Sequence, residues 1–142
     1  MALTLRDARA IISASLSAAR ASGLQPVAVI VLDGGGNIKA FEAEDGASPL
    51  RFSIAHGKAF GAVGLGVGSR ALMARAEQQP SFIAAANGAA GGRLIPVPGG
   101  VLVRGADGAV LGAVGVSGDA SDNDEKAAVA GITAAGFVPD PG

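Results

Sequence analysis

The predicted fold depends most on residues 27–43, VAVIVLDGGGNIKAFEA. Its first part, Val27 to Leu32, is a continuous apolar run of mostly β-branched residues, a composition that favours a buried strand. Residues 33–37 supply the Asp, Gly and Asn that are typical of a turn, and Ile38 to Ala43 can return as a second strand. The stretch therefore predicts a β-hairpin at the middle of a sheet.

A second hairpin is predicted further along the chain. Val101 to Val103 and Ala109 to Val116 are apolar runs, and the Asp107-Gly108 pair between them is a strong signal for a type I′ turn. Residues 93–98 also have an extended pattern. The two hairpins together supply most of the predicted sheet.

The first helix has clear start and stop signals. Thr4-Leu5-Arg6-Asp7 is typical of a capping box, in which the Thr oxygen accepts a free amide and the Asp reaches back. Gly23 stands where a left-handed C-cap is needed. Apolar residues between these signals recur at steps of three and four and give one stripe, formed by Leu5, Ala8, Ile12, Leu16 and Ala19.

Four more helical segments complete the predicted architecture. Ser48-Pro49 has the pattern of an N-cap followed by proline, so a helix should run from about Leu50 to Leu65. The other three segments are residues 69–78, residues 80–87 and a last helix that begins within 119–122 and continues to Ala135. Residues 138–142 are predicted to be an irregular tail. This order of elements predicts a single domain, residues 1–142, of the α+β class, with a largely antiparallel sheet covered by helices.

Composition narrows the class of protein. The chain has 142 residues, of which 49% are hydrophobic and 16% charged, and its formal net charge is -1. The high apolar and low charged fractions exclude a disordered polar tail. The chain has no basic run, no Trp and no Tyr, which argues against a nucleic-acid surface. No Cys is present, which excludes disulfides and Cys-based metal sites. So high an apolar content with few charges predicts that some surface is hidden between subunits of a homo-oligomer.

Targeting and membrane signals are not found in the sequence. No segment approaches the roughly 20 continuous apolar residues that a spanning helix requires. Residues 1–9 lack the apolar region and the cleavage site of a secretory signal. We therefore expect no membrane partner and a cytoplasmic location.

Residues 66–71, GVGSRA, match the dinucleotide-binding fingerprint with Ala in the third place. The residues before them fit a helix better than a buried strand, and no Asp or Glu lies between Glu77 and Asp107 to bind a ribose. We interpret the segment as a loop followed by a helix cap.

His56 is the only histidine, which excludes a metal site built from several imidazoles. On the predicted second helix it shares one stripe with Phe52, Phe60 and Val63. Such a stripe suits a flat hydrophobic ligand such as a porphyrin, with His56 as a ligand to the haem iron. The alternative is a histidine that is packed, or held in a subunit interface, among aromatic residues.

Lys58 lies about 200° around the same helix from His56, in line with apolar residues. An ammonium group on an apolar stripe needs a partner. Glu125 shares a stripe of the last helix with Val129 and Ile132, so it also points toward packed surface. We expect Lys58 and Glu125 to pair, directly or through a ligand. The alternative is that Lys58 extends outward and Glu125 only complements the helix dipole.

Residues 96–100, PVPGG, combine a rigid bend with permissive glycines. Pro98, Gly99 and Gly100 would bring backbone amides close to whatever lies outside the sheet. The segment either binds a carboxylate or only turns the chain.

Three segments carry a resemblance to a known family: residues 54–60, IAHGKAF; residues 93–101, RLIPVPGGV; and residues 112–118, GAVGVSG, leading into residues 122–125, DNDE. Residues 33–36 and 45–46 fit the first hairpin of the same family. With these motifs in order over nearly the whole chain, the sequence resembles the GlcG/HbpS-like family. It also resembles the C-terminal domain of PduO-type corrinoid adenosyltransferases.

The resemblance implies a profilin-like α+β fold with a sheet of about five strands and assembly into dimers to octamers. Some members of the family bind haem or help to degrade it, and others sit beside catabolic enzymes. Some relatives place an axial histidine near their N-terminal helix, where this chain has none. Lys58, Gly99, Gly100 and Glu125 match motifs of the family.

Two functions are expected from these observations. The first is an oligomeric protein that binds haem or another tetrapyrrole-sized ligand. Its candidate ligand-binding residues are Phe52, His56, Lys58, Phe60, Pro98, Gly99, Gly100 and Glu125. The alternative is a cofactor-independent lyase or isomerase acting on a small organic acid, in which Lys58 holds a carboxylate and Glu125 moves a proton. A catalytically silent partner of a catabolic enzyme is a third possibility.

Overall fold

A five-stranded antiparallel sheet forms the centre of the computed structural model, which describes residues 1–142. Its strands are β1 (Ala28–Asp33), β2 (Ile38–Ala43), β3 (Gly100–Arg104), β4 (Val110–Ser117) and β5 (Val138–Asp140). Their spatial order is β2-β1-β4-β3-β5, and every neighbouring pair is antiparallel. The predicted α+β class and the predicted sheet of about five strands are confirmed.

Five helices surround the sheet: α1 (Leu5–Ala21), α2 (Arg51–Leu65), α3 (Ser69–Gln78), α4 (Pro80–Ala89) and α5 (Ser121–Ala134). Helices α1 and α5 share the larger apolar core with one face of the sheet, and α2 covers the other face. Helices α3 and α4 enclose a small third core with Leu94. None of the helices is long and apolar enough to span a membrane.

The position of β1 between the two layers explains its continuous apolar sequence. Val29 and Val31 belong to the core beneath α1 and α5, whereas Ile30 and Leu32 belong to the core beneath α2. Successive side chains of a strand point to opposite faces, so a strand covered on both faces has no polar positions.

The ends of α1 agree with the sequence signals. The hydroxyl of Thr4 accepts a hydrogen bond from the amide of Asp7, and the carboxylate of Asp7 accepts one from the amide of Thr4, both at 3.0 Å. Gly23 follows the helix with φ +66°. The predicted capping box and the predicted left-handed glycine are both confirmed.

The predicted Ser48-Pro49 cap of α2 is wrong, although the helix itself is confirmed. Helix α2 begins at Arg51, and Leu50 occupies the N-cap position without a side-chain hydrogen bond. The Ser48 hydroxyl instead accepts a hydrogen bond from Nε of Arg51 at 3.2 Å, so it does not cap an amide.

The segment that matches the dinucleotide fingerprint is a loop and a helix cap, as interpreted. Gly66 ends α2 in the left-handed conformation with φ +75°, and Gly68 is the N-cap residue of α3. Helix α3 then covers residues 69–78, the range that the sequence predicts.

The type I′ turn predicted at Asp107-Gly108 is wrong. The amide of Gly108 donates to the carbonyl of Gly105 at 2.9 Å, and only Gly108 of the turn residues has a positive φ, +84°. A type I′ turn needs positive φ at both central residues, which Asp107 does not adopt. The loop is one residue longer, and the register shifts between Val103 and Arg104.

The irregular tail predicted for residues 138–142 is also wrong in its first part. Val138–Asp140 forms the edge strand β5, paired with β3, and Nε of Arg104 contacts the carboxylate of Asp140 at 2.8 Å. Pro139 has no amide hydrogen to donate. An edge strand tolerates it because the outer side of the strand makes no hydrogen bonds to another strand. Residues 93–98 join no strand of the sheet.

Candidate functional site

Two glycines on neighbouring strands let α2 approach the sheet at backbone distance. Gly100 of β3 and Gly115 of β4 are direct partners in the register. A Cβ on Gly100 would overlap the carbonyl group of Lys58, and a Cβ on Gly115 would overlap the carbonyl group of Ala55. Helix α2 therefore lies directly on the sheet here, which carries Lys58 into the interior.

Lys58 is the largest fully buried side chain of the protein, with 2% of it exposed. Its Nζ donates to the carbonyl oxygen of Val116 at 3.0 Å and to Oδ2 of Asp124 at 3.1 Å. Asp124 is equally buried, with 1% exposed. The ion pair thus joins α2, β4 and α5 in the interior.

The carboxylate of Asp124 also holds the connection between β4 and α5. Its Oδ1 accepts from the amide of Asp119 at 2.9 Å, and its Oδ2 accepts from the amide of Gly118 at 3.3 Å. Burial raises the pKa of Asp124 and lowers the pKa of Lys58, because leaving water penalises each charged form; each partner's charge opposes the shift of the other. The hydrogen bonds satisfy the pair, as a buried charge requires.

The predicted pairing of Lys58 with Glu125 is wrong. Glu125 forms an ion pair with Arg70 of α3, with 2.9 Å between Oε2 and Nε, and Arg70 also contacts Asp122. Adjacent residues of a helix point about 100° apart, and α5 is turned so that Asp124 faces the sheet. The signal that could have found Asp124 is its stripe with Ala128 and Gly131, both of which are buried.

Pro98, Gly99 and Gly100 are all buried, and Gly99 and Gly100 lie against Lys58. Gly99 has φ +122°, and a Cβ there would lie 2.8 Å from Nζ of Lys58. The amide of Gly100 donates to the hydroxyl of Ser69 at 2.7 Å. Gly99 therefore makes room for the ammonium group of Lys58 and Gly100 for its backbone carbonyl, and the amide of Gly100 is already paired.

The outer side of α2 carries the aromatic stripe that the sequence predicts. The His56 ring stacks on Phe52 with 5.9 Å between ring centroids and 13° between planes, and on Phe60 with 5.6 Å and 20°. Phe41 of β2 meets Phe52 edge to face at 4.9 Å. Phe52 remains 41% exposed, whereas His56 and Phe60 are half-buried. The stripe is therefore a surface that a ligand or another chain can reach.

The imidazole of His56 is held toward its neutral form. Desolvation lowers the pKa of His56 below 6.5, and the nearby charge of Arg93 lowers it further. The guanidinium of Arg93 lies 4.0 Å above the Phe60 ring. At neutral pH His56 therefore offers a ring nitrogen with a free lone pair.

A cleft of about 520 Å³ opens beside the stripe, between α2 and α4. Phe60 lines both the stripe and the cleft, together with Gly64 and Leu65 of α2 and Phe82 and Ala86 of α4. Because most of its lining is apolar, the cleft has the character of a small-molecule site. This cleft could not be predicted from the sequence, since it depends on how α4 is placed relative to α2.

The residues predicted to form one binding site occupy two separate regions around α2. Phe52, His56 and Phe60 lie on the outer side of the helix. Lys58 lies about 200° away in the interior, next to the segment from Pro98 to Gly100. Glu125 is in the ion pair with Arg70, in neither region.

Comparison with known proteins places the chain in one family. A family model described as haem degrading protein HbpS-like matches residues 3–133. No curated protein sequence matches the chain significantly.

Several solved structures are similar over nearly the whole chain. A double mutant of HbpS from Streptomyces reticuli is 33% identical with a TM-score of 0.82, and the match covers 94% of this chain and 86% of that one. ORFY from Klebsiella pneumoniae is 26% identical with a TM-score of 0.83, covering 94% and 90%. PduOC in a complex with haem has a TM-score of 0.85 over 96% and 97%, and at 23% identity this likeness concerns the fold alone. The family model and the HbpS relative together show that this chain belongs to the HbpS-like family.

Proposed function

We propose that this protein binds haem, or another planar ligand of tetrapyrrole size, against the aromatic stripe of α2. The observation that carries the proposal is the stacking of the only histidine, His56, between Phe52 and Phe60 on a reachable surface. The two phenyl rings supply the apolar contact that a porphyrin face needs. His56 is the residue that would bind the iron.

The donor chemistry of the stripe fits haem. A metal-binding imidazole must be neutral, and the lowered pKa of His56 favours that form. No group of three or more His, Asp or Glu side chains is placed to hold a metal ion. Haem iron needs only an axial ligand from the protein, because the porphyrin supplies the four equatorial nitrogens. The chain has no Cys and so no redox-active thiol, whereas bound haem would supply a redox-active iron.

The relatives support the same ligand class. The family model carries the description haem degrading protein, and one protein of similar fold is known as a haem complex. Haem is therefore the first member of the ligand class to test.

We further infer that the protein assembles as a homo-oligomer, between a dimer and an octamer. Several large apolar side chains are exposed: Ile38 by 51%, Leu50 by 68% and, in the stripe itself, Phe52 by 41%. Strand β2 is at the edge of the sheet and has no partner on its outer side. Light scattering on a sizing column would test the assembly, and a monomer would contradict it.

The test of the ligand is a titration with ferric haem followed by absorption. We expect a Soret shift that saturates at a fixed ratio of haem to subunit, and a different or absent shift in His56→Gln. Phe52→Ala should weaken binding, whereas Phe82→Ala, which removes a ring of similar exposure outside the stripe, should not. Identical spectra for wild type and His56→Gln, with both proteins folded by circular dichroism, would contradict the proposal.

A further inference from the structure

The cleft between α2 and α4 lies outside the residues proposed to bind haem, apart from Phe60. Its volume of about 520 Å³ is within the range of roughly 300 to 1,000 Å³ that is typical of small-molecule sites. Phe60 and Phe82 are its two aromatic walls, and Leu65, Ala86 and Leu94 are among its aliphatic ones. A ligand of this cleft therefore has an apolar body.

Each of the two aromatic walls of the cleft has a guanidinium group stacked on its ring. Arg93 lies 4.0 Å above the Phe60 ring, and Arg75 lies 3.8 Å above the Phe82 ring. Nε of Arg93 donates to the carbonyl of Ala90 at 2.8 Å. Neither Arg75 nor Arg93 has a carboxylate partner, because the ion pairs of the protein use other cations. Their terminal nitrogens are available to an anion.

No residue that lines the cleft carries a negative charge. No Asp or Glu lies between Glu77 and Asp107, and this interval includes the whole of α4. Helix α4 carries no charged residue at all. The two charged groups stacked on the walls of the cleft are therefore both cations, although the chain as a whole has a net charge of -1.

We infer that this cleft is a binding site for an aromatic carboxylic acid, distinct from the iron ligand His56. The aromatic body occupies the apolar cleft, and the carboxylate pairs with the guanidinium of Arg93, next to Leu94 of the lining. Arginine suits this task because its planar fork matches a carboxylate. The inference does not require that the protein bind haem.

Gly64 allows the cleft to be filled without damage to the fold. It lies in α2 and lines the cleft, and a Cβ added to it would meet no atom within 4 Å. Gly64→Leu therefore places a side chain in the cleft and improves helix propensity. Gly88→Leu is the matched control, because Gly88 is also helical and unobstructed but does not line the cleft.

The experiment uses anilinonaphthalene sulfonate, a fluorescent aromatic anion, as the probe, with naphthoate and the uncharged naphthamide as competitors. We expect saturable fluorescence in the wild-type protein, displacement by naphthoate, and displacement by naphthamide only at about fivefold higher concentration.

Gly64→Leu should weaken probe binding about tenfold or more, and Gly88→Leu should leave it unchanged. Arg93→Gln should remove the difference between the two competitors, whereas Arg9→Gln, on the exposed side of α1, should preserve it.

Three results would overturn the inference. One is probe binding that Gly64→Leu does not weaken, which would place the probe elsewhere on the surface. Another is equal displacement by naphthoate and naphthamide in the wild-type protein. The third is a change of oligomeric mass in Gly64→Leu, which would mean that the cleft is covered by a second copy. The same titration in His56→Gln should match the wild type, so a failure of haem binding leaves this test unaffected.

Discussion

Nζ of Lys58 lies 3.1 Å from Oδ2 of Asp124, and at most 2% of either side chain is exposed. The pair connects α2, on one face of the sheet, to the first turn of α5. Nζ of Lys58 also donates to the carbonyl oxygen of Val116 in β4. It is placed there by the close approach of α2 to Gly100 and Gly115. Lys58 and Asp124 therefore act as an internal connection between the layers.

Removing one partner of this pair should destabilise the protein strongly. We expect Lys58→Met to lower the free energy of unfolding by about 3 to 5 kcal/mol, because the charge of Asp124 stays buried without its partner. The double variant Lys58→Met with Asp124→Asn should lose less than the sum of the two single variants. Urea unfolding measures each value.

The half-exposed pair of Arg104 and Asp140 is the control for this experiment. Arg104→Gln should lower the free energy of unfolding by only about 0 to 1 kcal/mol, since solvent screens exposed ion pairs. A cost for Lys58→Met as small as this would contradict the role assigned to the buried pair.

Two glycines of α2 should respond in opposite ways to alanine. A Cβ on Gly57 would overlap the carbonyl oxygen of Arg93 and the side chain of Ile95, whereas a Cβ on Gly64 meets nothing within 4 Å. We expect Gly64→Ala to raise the free energy of unfolding by about 0.5 to 1 kcal/mol through helix propensity. Gly57→Ala should lower it, because the segment after α4 must shift. Equal effects in chemical denaturation would show that α2 is not packed as described.

His56 should titrate below 6.5. Desolvation and the charge of Arg93 both lower its pKa, so Arg93→Gln should raise the pKa, while Arg9→Gln should not. Because the folded-state pKa is below the unfolded value, the stability linked to His56 is present above pH 6.5. It is lost as the pH falls through the folded-state pKa. The ring signals of this single histidine in proton NMR give the pKa directly, and a value at or above 6.5 would contradict the assigned environment.

Asp119 should contribute to acid sensitivity. Hydrogen bonds from the side chain of Asn123 and from the amides of Gln25 and Ala120 hold the pKa of Asp119 below 3.8. Its contribution to stability is therefore present above pH 3.8 and is lost as the pH falls through the lower folded-state value. Asp119→Asn should flatten the dependence of stability on pH in this range. The exposed Asp45→Asn serves as the control, and an equal slope in both variants would refute the prediction.

Elements with local signals could be predicted from the sequence. The capping box at Thr4, the range of α3 and the continuous strand β1 depend on neighbouring residues, and all are confirmed. Strand β5 could not be predicted, because Pro139 and its neighbours become a strand only by pairing with the distant β3. The type I′ turn predicted at Asp107 was wrong for a related reason, since an Asp-Gly pair favours a turn but does not set the length of the loop.

For the candidate site, the sequence was sufficient to predict which residues share one face of a helix. The stripe of Phe52, His56 and Phe60 follows from helical spacing, and the structure shows the rings stacked. The partner of Lys58 was missed by one residue, because the rotation of α5 on the sheet decides whether Asp124 or Glu125 faces inward. That rotation is set by tertiary packing, which includes the contact between Gly131 and Ser15.

The most direct test of haem binding through His56 is NMR of the protein with isotopically labelled histidine. Because the chain has one histidine, the spectrum reports His56 alone. On addition of ferric haem at pH 7, we expect the His56 ring signals to broaden or shift strongly through the paramagnetic iron and to saturate at a fixed ratio of haem to subunit. A saturating Soret change with unaltered His56 signals would contradict it, because the iron would then be held elsewhere.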